Sequence, residues 1–364
     1  MKSYKKVLII ALVVVFALSF ILAGCQQKQP QQQTQQPEKK VLKVGLVFDV
    51  GGRGDKSFND MAYAGLERAK NEFGDKIEIK YLEPTAGGEN REQLLRLLAE
   101  EKYDLIFGVG FMFTDHIAKV SKEFPDIKFA LIDGSIADLT DSSNVRCLLF
   151  KEQEGSFLVG AAAALKSKTH KIGFVGGMKI PLIERFEAGY MAGAKYVDPN
   201  VQIISDYIGT TGDAFKDPVK GKELALKQIK AGADVIYHAS GASGIGVIDA
   251  AATQKKLAIG VDADQSLTAK DTEKPYILTS MMKRVDVAVY ETIKDALNNQ
   301  FKGGYKVFGV AEGGVGYAEN DYNKDMLKDI KPKLEELKQK IISGEIKVPA
   351  SKQEYEDFVK NLKK

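Results

Sequence analysis

The stretch DLIFGVGFMFTDHIAKVSKEFPDIKFALID, residues 104–133, decides the architecture. Residues 104–108 are a short apolar run, and Gly108-Val109-Gly110 supplies a tight turn. Residues 113–124 carry apolar side chains at helical spacing, and residues 128–132 are a second apolar run. Strand, turn, helix and strand within so short a span make a βαβ unit, which demands a parallel sheet. Runs that are apolar at nearly every position, rather than at alternate ones, belong to a sheet covered on both faces.

The same rhythm extends in both directions. Upstream, residues 41–48 read as a strand, 57–73 as a helix, 77–82 as a strand and 89–101 as a helix. Downstream, strand 145–150 leads into a second series. This comprises helix 152–165, strand 171–175, helix 183–196, strand 202–207, helix 213–231, strand 234–237, helix 246–255 and strand 257–261. Residues 277–282 and 305–310 are further strands on either side of helix 285–300, and 323–342 is a charged amphipathic helix. The fold class is therefore α/β, with two doubly wound parallel-sheet lobes. The economical path assigns 41–150 and 262–302 to lobe one, and 151–261 and 303–364 to lobe two. Three crossings, near Phe150, after Val261 and near Gly303, then form a hinge.

The chain begins with Lys2, Lys5 and Lys6, an apolar run over residues 7–21, and then Leu22-Ala23-Gly24-Cys25. That is the layout of a secretory signal peptide, and the run is short for a permanent membrane span. The block resembles a lipobox, so residues 1–24 are expected to be removed and Cys25 acylated. Each buried CH₂ of an acyl chain contributes about 0.8 kcal/mol, so two or three chains hold a domain at a membrane. Residues 25–40 are glutamine-rich and read as a disordered spacer. Losing three lysines takes the formal charge from +3 to zero, which leaves no electrostatic case for nucleic acid. With Cys25 lipidated, Cys147 has no partner for an intrachain disulfide, and stability must come from a large core.

Catalytic signals are thin. His116, His170 and His238 lack metal-ligand spacing, and there is no Gly-x-Ser-x-Gly elbow or Walker A loop. No metal, cofactor or enzymatic activity is expected. The glycine turns at 108–110 and 241–246 do not continue as a dinucleotide fingerprint. They read as βα turns at the carboxyl ends of strands, where open α/β sheets bind ligands. Polar groups gather at such ends: Asp49, Asp133, Asp262 with Asp264, and Lys283. A single one is usually a helix cap, as expected for Asp115 and Asp264, but four at the same end suggest a hydrogen-bonding site. Carboxylates accept from hydroxyls and ring N–H groups, which suits a sugar or nucleoside better than a phosphate. Phe58, Phe111, Phe113 and Phe186 follow strands or stand among polar residues. Two such rings against a flat heterocycle would contribute about 1–3 kcal/mol per face.

Several segments together resemble the basic membrane protein family of lipoproteins, also called the purine nucleoside receptor A type. They are Gly45-Leu46-Val47-Phe48-Asp49, Asp55-Lys56-Ser57-Phe58-Asn59 and Ile172-Gly173-Phe174-Val175-Gly176-Gly177. Gly241-Ala242-Ser243-Gly244-Ile245-Gly246-Val247-Ile248, Gly260-Val261-Asp262-Ala263-Asp264-Gln265 and Lys283-Arg284-Val285-Asp286 join them. The resemblance runs from Val41 to about Gly316 and implies the type I periplasmic-binding-protein fold. It further implies a monomer, lipid-anchored at the outer face of the cell membrane, with a purine nucleoside (adenosine, guanosine or inosine) and an ABC transporter permease as partners. By motif, Asp49 and Asn59 would meet the ligand from lobe one, and Phe58 would stack on the base or wall the pocket beside it. Asp133 would read the purine's nitrogen edge, Phe186 would supply the stacking ring, and Gly241 would admit close backbone approach. Asp262 and Lys283 would hold the ribose hydroxyls. A sugar or other small-solute receptor or sensor of the same fold is the alternative.

Overall fold

A computed structural model describes residues 41–85 and 87–362. The expected signal peptide, acylated Cys25 and glutamine-rich spacer lie outside the described residues. The first half of the chain gives β1 (Leu42–Val47), α1 (Phe58–Phe73), β2 (Ile77–Leu82), α2 (Arg91–Glu100), β3 (Leu105–Val109), α3 (Thr114–Glu123), β4 (Lys128–Ile132) and β5 (Val145–Phe150). Then come α4 (Glu152–Lys166), β6 (Lys171–Met178), α5 (Pro181–Val197), β7 (Gln202–Gly209), α6 (Pro218–Lys230), β8 (Val235–Ala239), α7 (Gly244–Thr253), β9 (Leu257–Asp262) and β10 (Ile277–Lys283). Last are α8 (Val285–Leu297), β11 (Gly304–Phe308), β12 (Val315–Tyr317), α9 (Lys324–Leu327), α10 (Lys331–Ile342) and α11 (Lys352–Leu362).

Among the described residues, these strands form two six-stranded sheets with the same internal order, β11-β5-β4-β3-β1-β2 and β12-β10-β9-β8-β6-β7. The central strands β3 and β8 are buried at every position, as their unbroken apolar runs require. The β10–β12 pair is antiparallel, whereas β11 lies parallel to β5.

This topology exchanges two strands relative to the sequence reading. Residues 277–282, expected in lobe one, belong to β10 and pair with β9 in lobe two, Ser280 opposite Gly260 and Met281 opposite Val261. Residues 305–308, expected in lobe two, belong to β11 and pair with β5 in lobe one, Tyr305 opposite Cys147. Two buried hydroxyls hold β10 in lobe two. Thr279 and Ser280 are buried there, Thr279 donating to the carbonyl of Ala318 at 2.7 Å and Ser280 accepting from Gln265 N–H at 3.1 Å. The 263–276 connection also carries turns and a short 3-10 segment in place of an α-helix, which makes it resemble a passage between lobes. It is nonetheless long enough to return the chain parallel beside β9, since such crossovers need about a dozen residues. The three crossings therefore follow β5, β10 and β11. Helix α8 comes after the second and packs in lobe one. Tyr290 stacks on Phe73 of α1, centroids 5.7 Å apart, and donates its hydroxyl to Glu72 at 2.6 Å.

In lobe two, α4 and α5 touch backbone to backbone. A Cβ on Gly160, Gly189 or Gly193 would lie 2.0, 2.2 or 1.9 Å from the carbonyl oxygens of Tyr190, Gln153 and Phe157. Gly193→Ala must therefore push the helices apart, and is expected to destabilise the protein by about 1–3 kcal/mol. The check is a lower urea midpoint at unchanged m-value.

Both sheets present their carboxyl ends to one cleft. Asp49 follows β1, Gly110 follows β3 and Asp133 follows β4, while Gly241 follows β8 and Asp262 and Lys283 end β9 and β10. In each sheet the order 2-1-3-4-5 reverses between its first and third strands, the place where doubly wound sheets take ligands.

Candidate functional site

The cleft encloses about 70 Å³ of cavity volume inside a wider mouth that opens to solvent. Asp49, Phe58, Asn59, Asp133, Phe186, Gly241, Asp262 and Lys283, the residues singled out in the sequence, all line it. Of the two aromatics after β3, Phe111 lines the cleft and Phe113 is wholly buried in the lobe-one core. Asp264 stands aside, accepting from Ser266 and Asn320 to staple its loop. Asp55, Phe215 and Ser240 also line the cleft and were not expected there.

The lobe-one wall grows out of a glycine-rich loop. Its Asp55 carboxylate caps α1, accepting the backbone N–H groups of Ser57 at 2.9 Å, Asn59 at 2.8 Å and Asp60 at 3.1 Å, as well as the Asn59 side-chain amide at 3.0 Å. So held, Asn59 accepts the Asp49 N–H at 3.0 Å and fixes that residue's backbone. The Asp49 carboxylate accepts from Val50 N–H at 2.7 Å and from Arg91 at 2.9 Å. Gly110, at φ +107°, makes room beside it: a Cβ there would sit 2.3 Å from the second Asp49 oxygen. Burial pushes the Asp55 carboxyl up to about 6 against the pull of its N–H donors. Asp49 is also raised by burial, with Arg91 opposing the rise.

Lys283 forms the centre. It is 1% exposed, its ammonium bonded to Asp133 and 3.3 Å from Glu152. Phenyl rings of Phe58, Phe150 and Phe186 surround it at 5.1, 5.0 and 5.5 Å from their centroids. Glu152, fully buried, also accepts from Arg185 Nε at 2.7 Å. Asp262 is bonded instead to the hydroxyl of Ser57. Asp133 and Asp262 occupy equivalent places in the two sheets, after β4 and at the end of β9, and both take a left-handed φ of +64°. Burial raises each carboxyl to about 6, opposed by Lys283. Burial alone would lower the Lys283 ammonium, yet Asp133, Glu152 and Asp262 together hold it above its usual range.

Contacts across the cleft join the two lobes. Ser57 of lobe one reaches Asp262, Lys56 Nζ donates to the Thr268 carbonyl at 2.9 Å, and Gln265 Nε2 donates to the Lys56 carbonyl at 3.1 Å. Among the described residues, no group of three or more His, Cys, Asp or Glu side chains is arranged to hold a metal ion. Sequence reasoning missed Arg91, which holds Asp49, and Glu152, which lies beside Lys283 and is itself bonded to Arg185.

The arrangement matches known proteins. The profile of the family described as "Bmp: ABC transporter substrate-binding protein PnrA-like" matches residues 42–352. The CD4+ T-cell-stimulating antigen of Listeria monocytogenes serovar 1/2a is 37% identical over 366 residues, covering 95% of this chain and 99% of its own. An uncharacterized lipoprotein of Pyrococcus furiosus is 38% identical over 406 residues, covering 99% of this chain and 97% of its own. The crystal structure of an ABC transporter system solute-binding protein from Aeropyrum pernix K1 shares 33% identity at a TM-score of 0.75, covering 88% of this chain and 97% of that one. Two lobes of identical strand order, a cleft lined from both, and a family match over nearly the whole described chain lead to one assignment: this chain belongs to the Bmp family of PnrA-like ABC transporter substrate-binding proteins.

Proposed function

We propose that the cleft binds a purine nucleoside and that the protein, a monomer anchored through acylated Cys25 at the outer face of the cell membrane, hands it to an ABC permease. The observation that carries this reading is the convergence of phenyl rings and carboxylates from both lobes on one cleft. Phe58 and Asp133 come from lobe one, Phe186 and Asp262 from lobe two. In this reading a flat base stacks on Phe58 and Phe186, with its amine or ring N–H toward Asp133. The ribose hydroxyls donate to Asp262 and accept from Lys283, and Asp49 and Asn59 close the lobe-one side. Relatives described as lipoproteins support the anchor.

Such a ligand has its full set of partners only when the lobes are together, so it shifts the population toward the closed form. A stacked base with several buried charge-assisted hydrogen bonds reaches about −8 kcal/mol or better. Calorimetry with adenosine, guanosine, inosine, cytidine and ribose tests the reading. Tight binding of at least one purine nucleoside, with cytidine and ribose weaker, is expected, and equal or absent heats for all five would refute it. Phe186→Ala, which removes one stacking face, is expected to weaken that binding by about 1–3 kcal/mol with unchanged circular dichroism.

A further inference from the structure

A second, more open chamber of about 560 Å³ adjoins the cleft, sharing Phe111, Asp133 and Leu182 with it. Its own walls include Leu149, Ile180 and Val307, with Gln153 and Arg185 as polar lining. Two acceptors in this wall are unsatisfied. Asp133 Oδ1 and Gln153 Oε1 are buried without a hydrogen-bond partner, although the Asp133 side chain is only 5% exposed. A buried acceptor without a donor carries an unreturned desolvation penalty, which a ligand donor removes. Arg185 is held at the chamber by its 2.7 Å bond to Glu152. Val307, 45% exposed, and the exposed Ser135 form an outer rim open to solvent.

We infer that this chamber receives a substituent on the ligand edge that faces Asp133, so that the protein takes purine nucleosides extended at the exocyclic amine as well as plain ones. The inference rests on the nucleoside reading above. A secondary amine keeps one N–H for Asp133 Oδ1 while its alkyl or benzyl group runs along Leu149, Ile180 and Val307. A hydroxyl on that group finds Gln153 Oε1. Because the rim is open, the far end of a long substituent stays in water and need not be desolvated.

Titration of wild type and Ser135→Phe with adenosine and with N6-benzyladenosine decides the matter. Wild type is expected to bind both within about tenfold of each other, a 1.4 kcal/mol window. Ser135→Phe, which fills the chamber from its rim, is expected to retain adenosine and to lose the benzylated ligand by more than about tenfold. Val307→Phe, from another part of the rim, is expected to give the same pattern should the Ser135 loop itself shift. If wild type binds adenosine but takes the benzylated ligand more than about tenfold more weakly, the chamber is closed to substituents and the inference is overturned. It is likewise overturned if both variants treat the two ligands alike. If adenosine itself fails to bind, the nucleoside reading is what has failed.

Discussion

Lys283→Met is expected to destabilise the protein by about 3–5 kcal/mol near neutral pH and by much less in acid. The ammonium serves three buried carboxylates, Asp133, Glu152 and Asp262, and Glu152 is fully buried. Methionine keeps the stem packed among Phe58, Phe150 and Phe186 but leaves those acids without their shared cation. Proton binding sets the direction with pH. Folded Asp133 and Asp262 hold protons up to a pH of about 6, against an ordinary value of 3.8. Their contribution is therefore fully present below the lower value, is lost as pH rises through the higher one, and stays lost above it. Removing Lys283 raises both carboxyls further, so the loss grows and extends to higher pH. Urea denaturation at about pH 7.5 and about pH 5 checks this. A loss of the same size at both would mean that the effect does not run through the protonation of Asp133 and Asp262.

Asp262→Asn is the second large effect and separates binding from folding. Nucleoside affinity is expected to fall by about 2–3 kcal/mol, roughly 30- to 150-fold, because a buried charged acceptor becomes a neutral amide. Asparagine tolerates the left-handed φ of +64°, and its carbonyl can still accept from Ser57. Taking away one negative charge also relieves repulsion from Asp55 and Glu152, which help to raise Asp262. Stability is thus expected to hold or rise slightly. Calorimetry and urea denaturation on the same preparation read both quantities. A parallel loss of stability and affinity would recast Asp262 as a support of the fold.

Much of this site was legible in the sequence for one physical reason. A polar side chain ending a buried strand has no place in the core, so Asp49, Asp133, Asp262 and Lys283 stood out against the apolar runs before them. Phe58 and Phe186 stood out by their charged neighbours. Arg91, Glu152 and Arg185 did not, because each lies at the start of a helix, where charge is ordinary and solvated. What makes Glu152 unusual is complete burial, set by Lys283 and Arg185, which are remote in sequence. Phe111 and Phe113 were equal candidates by composition. Only the packing of Phe113 close against Gly108, beside Ile117, turns one inward and leaves the other at the cleft. The exchange of β10 and β11 was hidden for a different reason. A run of apolar residues announces a strand but suits the edge of either sheet, and the partner depends on contacts such as Thr279 with Ala318 that no local pattern encodes.

That exchange has a consequence for how the polypeptide reaches its finished form. β11 and β12 each complete the outer edge of a sheet, and both lie within residues 304–317. Without them β5 and β10 present bare rows of amide and carbonyl groups. A chain cut short before residue 304 is therefore expected to leave both lobes unfinished together, each lacking one edge strand.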